Sequence, residues 1–202
     1  MDLVPAPLAM DDNYGAFGRI DWPVRTRRLT LRPAVAEDAP VTWLWRRLPE
    51  VSNWLGSAPD RQDYLTAYRS TARLTSTVIV ELQERPIGDL MIRLEDAWVQ
   101  AEVVEHGRGV QAELGWTLDP AFQGHGYATE AVTAAIGLCF GPLGLRRIEA
   151  RCFAANEPSW RLMERVGMRR EQYSVAESLH RSGEWLDGMC YALLATEWPP
   201  ED

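Results

Sequence analysis

Cysteine is scarce in this chain, with three in 202 residues, and the three (Cys139, Cys152 and Cys190) are far apart. No CxxC pair and no cluster of histidine with cysteine occurs, so neither a structural zinc site nor a disulfide framework is expected. Each cysteine falls in an apolar pattern and reads as a buried free thiol in a reducing compartment. Long hydrophobic runs are missing too. No stretch reaches the roughly 18–20 apolar residues that a membrane helix needs. The opening MDLVPAPLAMDD has no basic segment followed by a sustained apolar one, so no secretory signal and a cytoplasmic location are expected. Positive charge is in deficit, with 21 basic against 29 acidic residues and a net charge of −8. That argues against nucleic acid as a partner, because phosphate backbones need a concentrated basic surface. It would suit a cationic substrate through field steering, or serve solubility alone.

Hydrophobic residues make up 46% and charged residues 25%, the profile of a globular domain able to bury a core. There is no internal repeat and no low-complexity segment. Residues 1–24, with three prolines of which the last is in Trp22-Pro23, read as an irregular leader, and residues 25–198 as one domain. Arg28-Leu29-Thr30-Leu31-Arg32-Pro33 alternates and stops at proline, as a strand does. From Glu37 to about Arg73 two helices are expected, broken around Pro49 to Pro59. Thr75–Leu82 and Ile87–Leu94 flank a turn at Gln83-Glu84-Arg85-Pro86 and read as a hairpin. Gln111–Leu118 is a further strand. Ala128, Ala131, Val132, Ala135, Ile136, Cys139 and Phe140 then form one apolar helical face, closed by Gly141-Pro142. Arg147–Phe153 is a strand, Ser159–Val166 a short helix capped by Gly167, and two strands close the chain near Arg170–Ser178 and Met189–Ala195. The class is α+β, a mixed and mostly antiparallel sheet of about 6–7 strands flanked by about four helices.

Gln123-Gly124-His125-Gly126-Tyr127-Ala128 lies between a strand and the longest helix. Two glycines permit positive φ and close approach of the main chain to a ligand. The helix start offers unpaired N–H groups and partial positive charge, a setting for phosphate. A plain glycine turn has the same spacing. No Gly-Lys-Ser/Thr ending is present, which excludes a P-loop. Thr129 stands where a dinucleotide fingerprint wants its third glycine.

Gln123-x-x-Gly126-x-Ala128 resembles the Q/R-x-x-G-x-G/A signature of the GNAT superfamily of N-acetyltransferases. The run from Leu118 to Ala131 (LDPAFQGHGYATEA) is similar to the branch of ribosomal-protein N-terminal acetyltransferases. Arg28–Pro33 with Asp38, Asn156-Glu157-Pro158-Ser159 with Glu164–Met168, and Asp187 through Tyr191 to Trp198 resemble further segments of that branch in the same order. The resemblance implies an enzyme that moves the acetyl group of acetyl-CoA to a primary amine, a peptide N-terminus or a small molecule, by direct attack in a ternary complex. A longer acyl-CoA donor and a non-catalytic coenzyme A-binding module are the alternatives. Homodimers are common in this branch. The resemblance also implies that amides from Gln123 through Gly124, His125, Gly126 and Tyr127 to Ala128 hold the pyrophosphate, with the Thr129 hydroxyl beside them. Asn156 would contact the pantetheine arm, unless it simply caps its helix.

The implied chemistry is amine attack on a thioester. It needs a neutral amine, a donor for the developing oxygen charge, and an exit for the thiolate. Family members splay the strand before the loop, so the oxyanion donor is expected to be the backbone amide of Thr117 or Leu118. Glu113 on the same strand is the expected base, and Ser159 the expected acid. Many members carry a tyrosine seven residues after the asparagine, where this chain has Met163, which cannot donate a proton. An α-amine of pKa about 7.7–8.0 needs far less help from a base than a lysine at about 10.4. The acceptor is expected between the early aromatics Trp43 and Trp54 and the late residues Trp185 and Asp187. No residue pattern identifies which amine is bound.

Overall fold

A computed structural model describes residues 15–198. Eight strands form one sheet in the order β1-β2-β3-β4-β5-β6-β8-β7. They are β1 (Val24–Arg25), β2 (Thr30–Pro33), β3 (Thr77–Leu82), β4 (Arg85–Glu95), β5 (Gln111–Leu118), β6 (Arg147–Phe153), β7 (Arg169–Leu179) and β8 (Trp185–Leu194). All neighbours pair antiparallel except β5 and β6, which run parallel. The class agrees with expectation and the strand count exceeds it. The additions are β1, too short to show alternation, and the splitting of the early helical region.

That region is four helices: α1 (Ala39–Arg46), α2 (Pro49–Ser52), α3 (Arg61–Tyr68) and α4 (Thr71–Ser76). Asp60 and Ser70 start α3 and α4 by accepting hydrogen bonds from the amides of Asp63 and Arg73. The break expected around Pro49 to Pro59 begins later: Pro49–Ser52 is helical, with proline in the first turn where its missing N–H costs nothing, and the non-helical stretch covers residues 53–60. Thr71–Ser76 is helical although Thr75 and Ser76 carry strand-like side chains. Their hydroxyls turn back onto the carbonyls of Thr71 and Ala72, which absorbs the polar groups within the turn.

Two helices follow: α5 (Tyr127–Phe140) and α6 (Glu157–Arg165). The apolar face of α5 lies on the sheet, with Val132, Ile136 and Cys139 fully buried against Val78, Val80, Ile92 and Ile148. Each such large side chain contributes on the order of 1.5–3 kcal/mol by leaving water. On the opposite face α1 and α3 enclose a smaller cluster of Ala34, Ala39, Tyr64, Tyr68 and Ile79. The sheet is therefore covered on both sides, and the alternation of β3 sorts its side chains accordingly: Val78 and Val80 to one face, Ile79 to the other.

The leader expected over 1–24 lies outside the described residues up to 14. Ala16, Phe17 and Ile20 are buried in the main core, so residues 15–20 are a packed part of the domain and not a surface excursion. Among the described residues no helix is long and apolar enough to cross a membrane.

Candidate active site

The central event in the sheet is the parting of β5 from β6. They pair only at Gln111–Glu113 with Arg147–Glu149; beyond that β5 stays with β4 to Leu118 while β6 follows β8 to Phe153. The gap opens into a cleft of about 850 Å³ reaching from the Gln123–Thr129 loop to α1, α2 and α4.

Two hydrogen bonds fix which way each amide of β5 points. The N–H of Asp119 donates to the Ile87 carbonyl at 2.8 Å, and the N–H of Arg146 donates to the Val110 carbonyl at 2.8 Å. Strand groups alternate in direction, so odd-numbered residues of β5 face β4 and even-numbered residues face β6. Thr117, the Cα partner of Asp89, thus directs its N–H into the β4 ladder. The expectation of a Thr117 backbone donor is corrected on this ground. The amides directed into the opened gap are those of Trp116 and Leu118. Sequence cannot show this parity, because it depends on where pairing starts.

The loop carries left-handed backbone at Gly124 (φ 78°) and Gly126 (φ 77°), and Gly126 is the residue preceding α5. A side chain at either would be strained there. The loop is tied to the far edge of the sheet. Glu130 in the first turn of α5 accepts from the Thr26 hydroxyl (2.6 Å), the Arg28 amide (2.7 Å) and Arg28 Nε (2.7 Å). Burial raises the Glu130 pKa, but these donors outweigh it and hold the carboxyl below its ordinary value. Arg28 also donates to the His125 carbonyl at 2.9 Å and covers the Tyr127 ring. Gln123, Gly124, Gly126, Tyr127, Ala128 and Thr129 line the cleft together with Arg161 and Arg165. The His125 ring does not. It turns onto the Gln123 carbonyl (2.7 Å) and stacks on Tyr127.

Asn156 and Ser159 also line the cleft, at the start of α6. The Asn156 side chain makes no capping hydrogen bond, which leaves its amide for the cleft. Ser159 hydrogen-bonds the Cys152 thiol, whose pKa burial pushes up to about 11, so that thiol stays protonated at neutral pH. Met163 is buried in the cleft wall below them.

Glu113 sits before the gap, in the paired part of β5, and forms an ion pair with Arg93. It does not line the cleft. The expected base position is corrected accordingly, since sharing a strand with the gap did not carry the side chain into it. Trp185 and Asp187 are likewise not in the cleft. Trp185 is 61% exposed, and Asp187 accepts from the Ala176 amide (2.8 Å) and the Tyr173 hydroxyl, holding together the irregular β7–β8 ribbon. Of the early aromatics, Trp54 lines the cleft and Trp43 an adjoining side chamber, where it packs on Tyr64 at 5.2 Å.

Asp89 was missed by sequence reasoning. It is 1% exposed on β4, beside Thr117 across the strands, on the face toward α1. Arg46 grips it with two nitrogens, Nε at 2.9 Å, and the Thr117 hydroxyl donates to it at 2.9 Å while accepting from Trp45 Nε1 at 3.3 Å. Desolvation pushes the Asp89 pKa up, but the charge and hydrogen bonds of Arg46, with help from Arg73 and Thr117, bring it below the ordinary value. The available signal was a lone aspartate in the apolar run Ile87-Gly88-Asp89-Leu90. Glu50 on α2 is the other carboxylate on the cleft wall.

A parallel-strand gap beside a glycine loop at a helix start, with main-chain N–H groups aimed into it, is the arrangement that the comparison with known proteins assigns to a class. The acetyltransferase (GNAT) domain model matches residues 28–169, and the chain belongs to that family of N-acetyltransferases. Over 86 residues it is 41% identical to the uncharacterized N-acetyltransferase YnaD of Bacillus subtilis, covering 43% of this chain and 50% of the relative. Over 87 residues it is 33% identical to the [ribosomal protein uS5]-alanine N-acetyltransferase of Escherichia coli, covering 43% and 44%. The matched stretches thus span about half the length of these relatives. A crystal structure of a GNAT-family acetyltransferase from Bacillus anthracis superposes with a TM-score of 0.71 at 26% identity, over 87% of this chain and 99% of that one.

Proposed function

We propose that the protein transfers the acetyl group of acetyl-CoA to a primary amine by direct attack, with both substrates bound at the opened sheet. The observation carrying this is the pair of even-numbered amides, Trp116 and Leu118, left facing the β5–β6 gap next to the Gly124–Gly126 loop. The residues present fit the donor. Positive-φ glycines leave the loop without side chains toward the cleft, with nothing within 4 Å of a side chain built at Gly124. Arg161 and Arg165 add charge beside it. Acetyl-CoA supplies an activated acyl carbon and a thiolate leaving group.

In this mechanism the amides of Gln123 to Ala128 hold the pyrophosphate and Asn156 contacts the pantetheine arm. The Trp116 and Leu118 amides hydrogen-bond the thioester oxygen as negative charge builds on it. As the amine nitrogen bonds to the acyl carbon and the carbon–sulfur bond breaks, the Ser159 hydroxyl relays a proton from solvent to sulfur, regaining one from water as it gives its own. Asp89 is a poor proton acceptor because Arg46 and Thr117 stabilise its anion. It serves to fix Thr117 and Arg46 in the cleft floor. Glu50, open to solvent, takes the proton from the amine. The acceptor this arrangement favours has an α-amino group, which is about one pKa unit from neutral. The related uS5-alanine acetyltransferase is named for an acceptor of this type.

The test joins calorimetry with acetyl-CoA to thiol release in the presence of N-terminal peptides, lysine peptides, aminoglycosides and polyamines. Binding with amine-dependent release supports the reading. Folded protein that binds no coenzyme A species would end it, and binding without release for any amine would leave only a carrier role.

A further inference from the structure

The acceptor side of the cleft has a side chamber of about 190 Å³, formed by α1, α3 and the 52–59 segment, and joined to the main cleft through Arg46, Leu55 and Arg73. Its charged lining is Arg46, Arg47 and Arg73, with no carboxylate, although the protein as a whole carries −8. Arg46 is neutralised by Asp89. Arg47 and Arg73 have no salt bridge among the described residues.

Arg73 is also short of hydrogen-bond acceptors. The described residues contain three buried side-chain polar atoms without a hydrogen-bond partner: Arg73 Nε, Arg73 Nη2 and the Tyr68 hydroxyl. The two residues that carry these atoms line this chamber, where the guanidinium lies 5.3 Å from the Tyr68 ring and 6.0 Å from the Tyr64 ring. Folded proteins leave few buried polar groups unpaired. Among the residues lining the chamber, none offers Arg73 a carboxylate. A guanidinium is a planar fork of donors that matches a carboxylate.

We infer that the acceptor carries a carboxylate, received by Arg73 in this chamber, while its amine points to the β5 gap. The inference rests on the proposed acetyl transfer and names the substrate class of that site. Chamber size limits the anionic part to a carboxylate on a short chain. Two sources share that chemistry: a free amino acid, and a peptide with an acidic residue near its N-terminus. A polyamine entering this chamber would place its charges against Arg47 and Arg73, so the overall negative charge is not what selects the substrate.

The experiment compares acceptors that differ only in the carboxylate: L-alanine with L-alaninamide, L-glutamate with L-glutamine, and C-terminally amidated peptides beginning Ala-Asp with ones beginning Ala-Asn, with spermidine as the polycation. Acetyl-CoA-dependent thiol release gives kcat and KM for each. The acid of at least one pair is expected to exceed its amide at least ten-fold in kcat/KM, mainly through KM. Which pair shows it distinguishes the free acid from the peptide. Arg73→Gln should bring the acid-over-amide ratio close to one, and Arg73→Lys should restore part of it, each with the melting temperature and acetyl-CoA affinity as controls of folding. Amides or spermidine used as well as the acids by the wild type would overturn the inference, as would an Arg73→Gln protein that keeps the ratio. If no acceptor turns over, calorimetry of the same pairs on the CoA-loaded wild type decides, and equal binding of acid and amide overturns it. A protein that binds no acetyl-CoA defeats the proposed reaction instead, and acid-against-amide binding to the cofactor-free protein still reads the chamber.

Discussion

Asp89 on β4 and Arg46 on α1 are 43 residues apart in sequence and form a two-pronged ion pair in the floor of the cleft, with side chains 2% and 14% exposed. The pair fastens the first helix to the sheet beside the gap, and its removal in halves should be costly. Asp89→Asn leaves the Arg46 charge buried without a counter-ion, and unfolding in urea is expected to show a loss of about 3–5 kcal/mol. Replacing both residues by apolar ones of similar volume should recover much of that loss.

The same pair gives a pH dependence. Its folded-state pKa is depressed relative to an unfolded value of about 3.9, so its contribution is complete above that value and fades as pH falls through the lower folded pKa. Wild-type stability should drop as the solution is acidified below pH ~4, and the Asp89→Asn profile should be flatter over the same range. Thermal melts from pH 2 to 6 check the sign.

Gly126→Ala puts a Cβ on a residue at φ 77°, 3.4 Å from Arg28 Nη2. The left-handed strain costs roughly 1–2 kcal/mol, and the displaced loop should bind coenzyme A at least ten-fold more weakly by calorimetry. Gly124→Ala meets no neighbour within 4 Å and should show the strain with a smaller loss of binding.

Ser159→Ala removes the cleft hydroxyl to which the proposed mechanism gives the protonation of sulfur. General acids contribute about 10²–10⁴-fold in rate. With a thiol leaving group of pKa about 8.5 the effect should fall near the bottom of that range. A kcat reduced about 10–100-fold at unchanged acetyl-CoA affinity is expected. Stopped-flow thiol release separates the two.

The two glutamates should behave differently. Glu113→Gln breaks an exposed ion pair with Arg93 away from the cleft and should change kcat/KM less than about two-fold. Glu50→Gln should lower it about ten-fold at pH 7, with the difference shrinking toward pH 9, where an α-amine is already neutral. Parallel pH–rate profiles for the two variants read this directly.

Legibility from sequence followed the range of the interactions. The α5 helix was readable because Val132, Ile136 and Cys139 repeat on one face, and β5 and β6 because their alternation is local. Gly124 and Gly126 announced a tight loop because their backbone conformation is set within a few residues. The short β1 was not legible, since two residues hold no period. The α4 helix was hidden because Thr and Ser took up their polarity within its own turn. The placement of Glu113, Trp185 and Asp187 failed for a different reason: a strand assigns a side chain to a face but not to a point along the cleft.

Membership in the acetyltransferase (GNAT) family, the α+β class and the tight glycine loop at the start of α5 were legible in the sequence alone, because each depends on spacing within contiguous stretches. The tertiary structure decided which amides of β5 remain free, which carboxylates reach the cleft, and that Arg73 faces a chamber with no acid in it. Those facts arise where β5 leaves β6 and where α1 to α4 fold back over β4. Strand pairing and helix docking join residues dozens of positions apart, and no local pattern records that geometry.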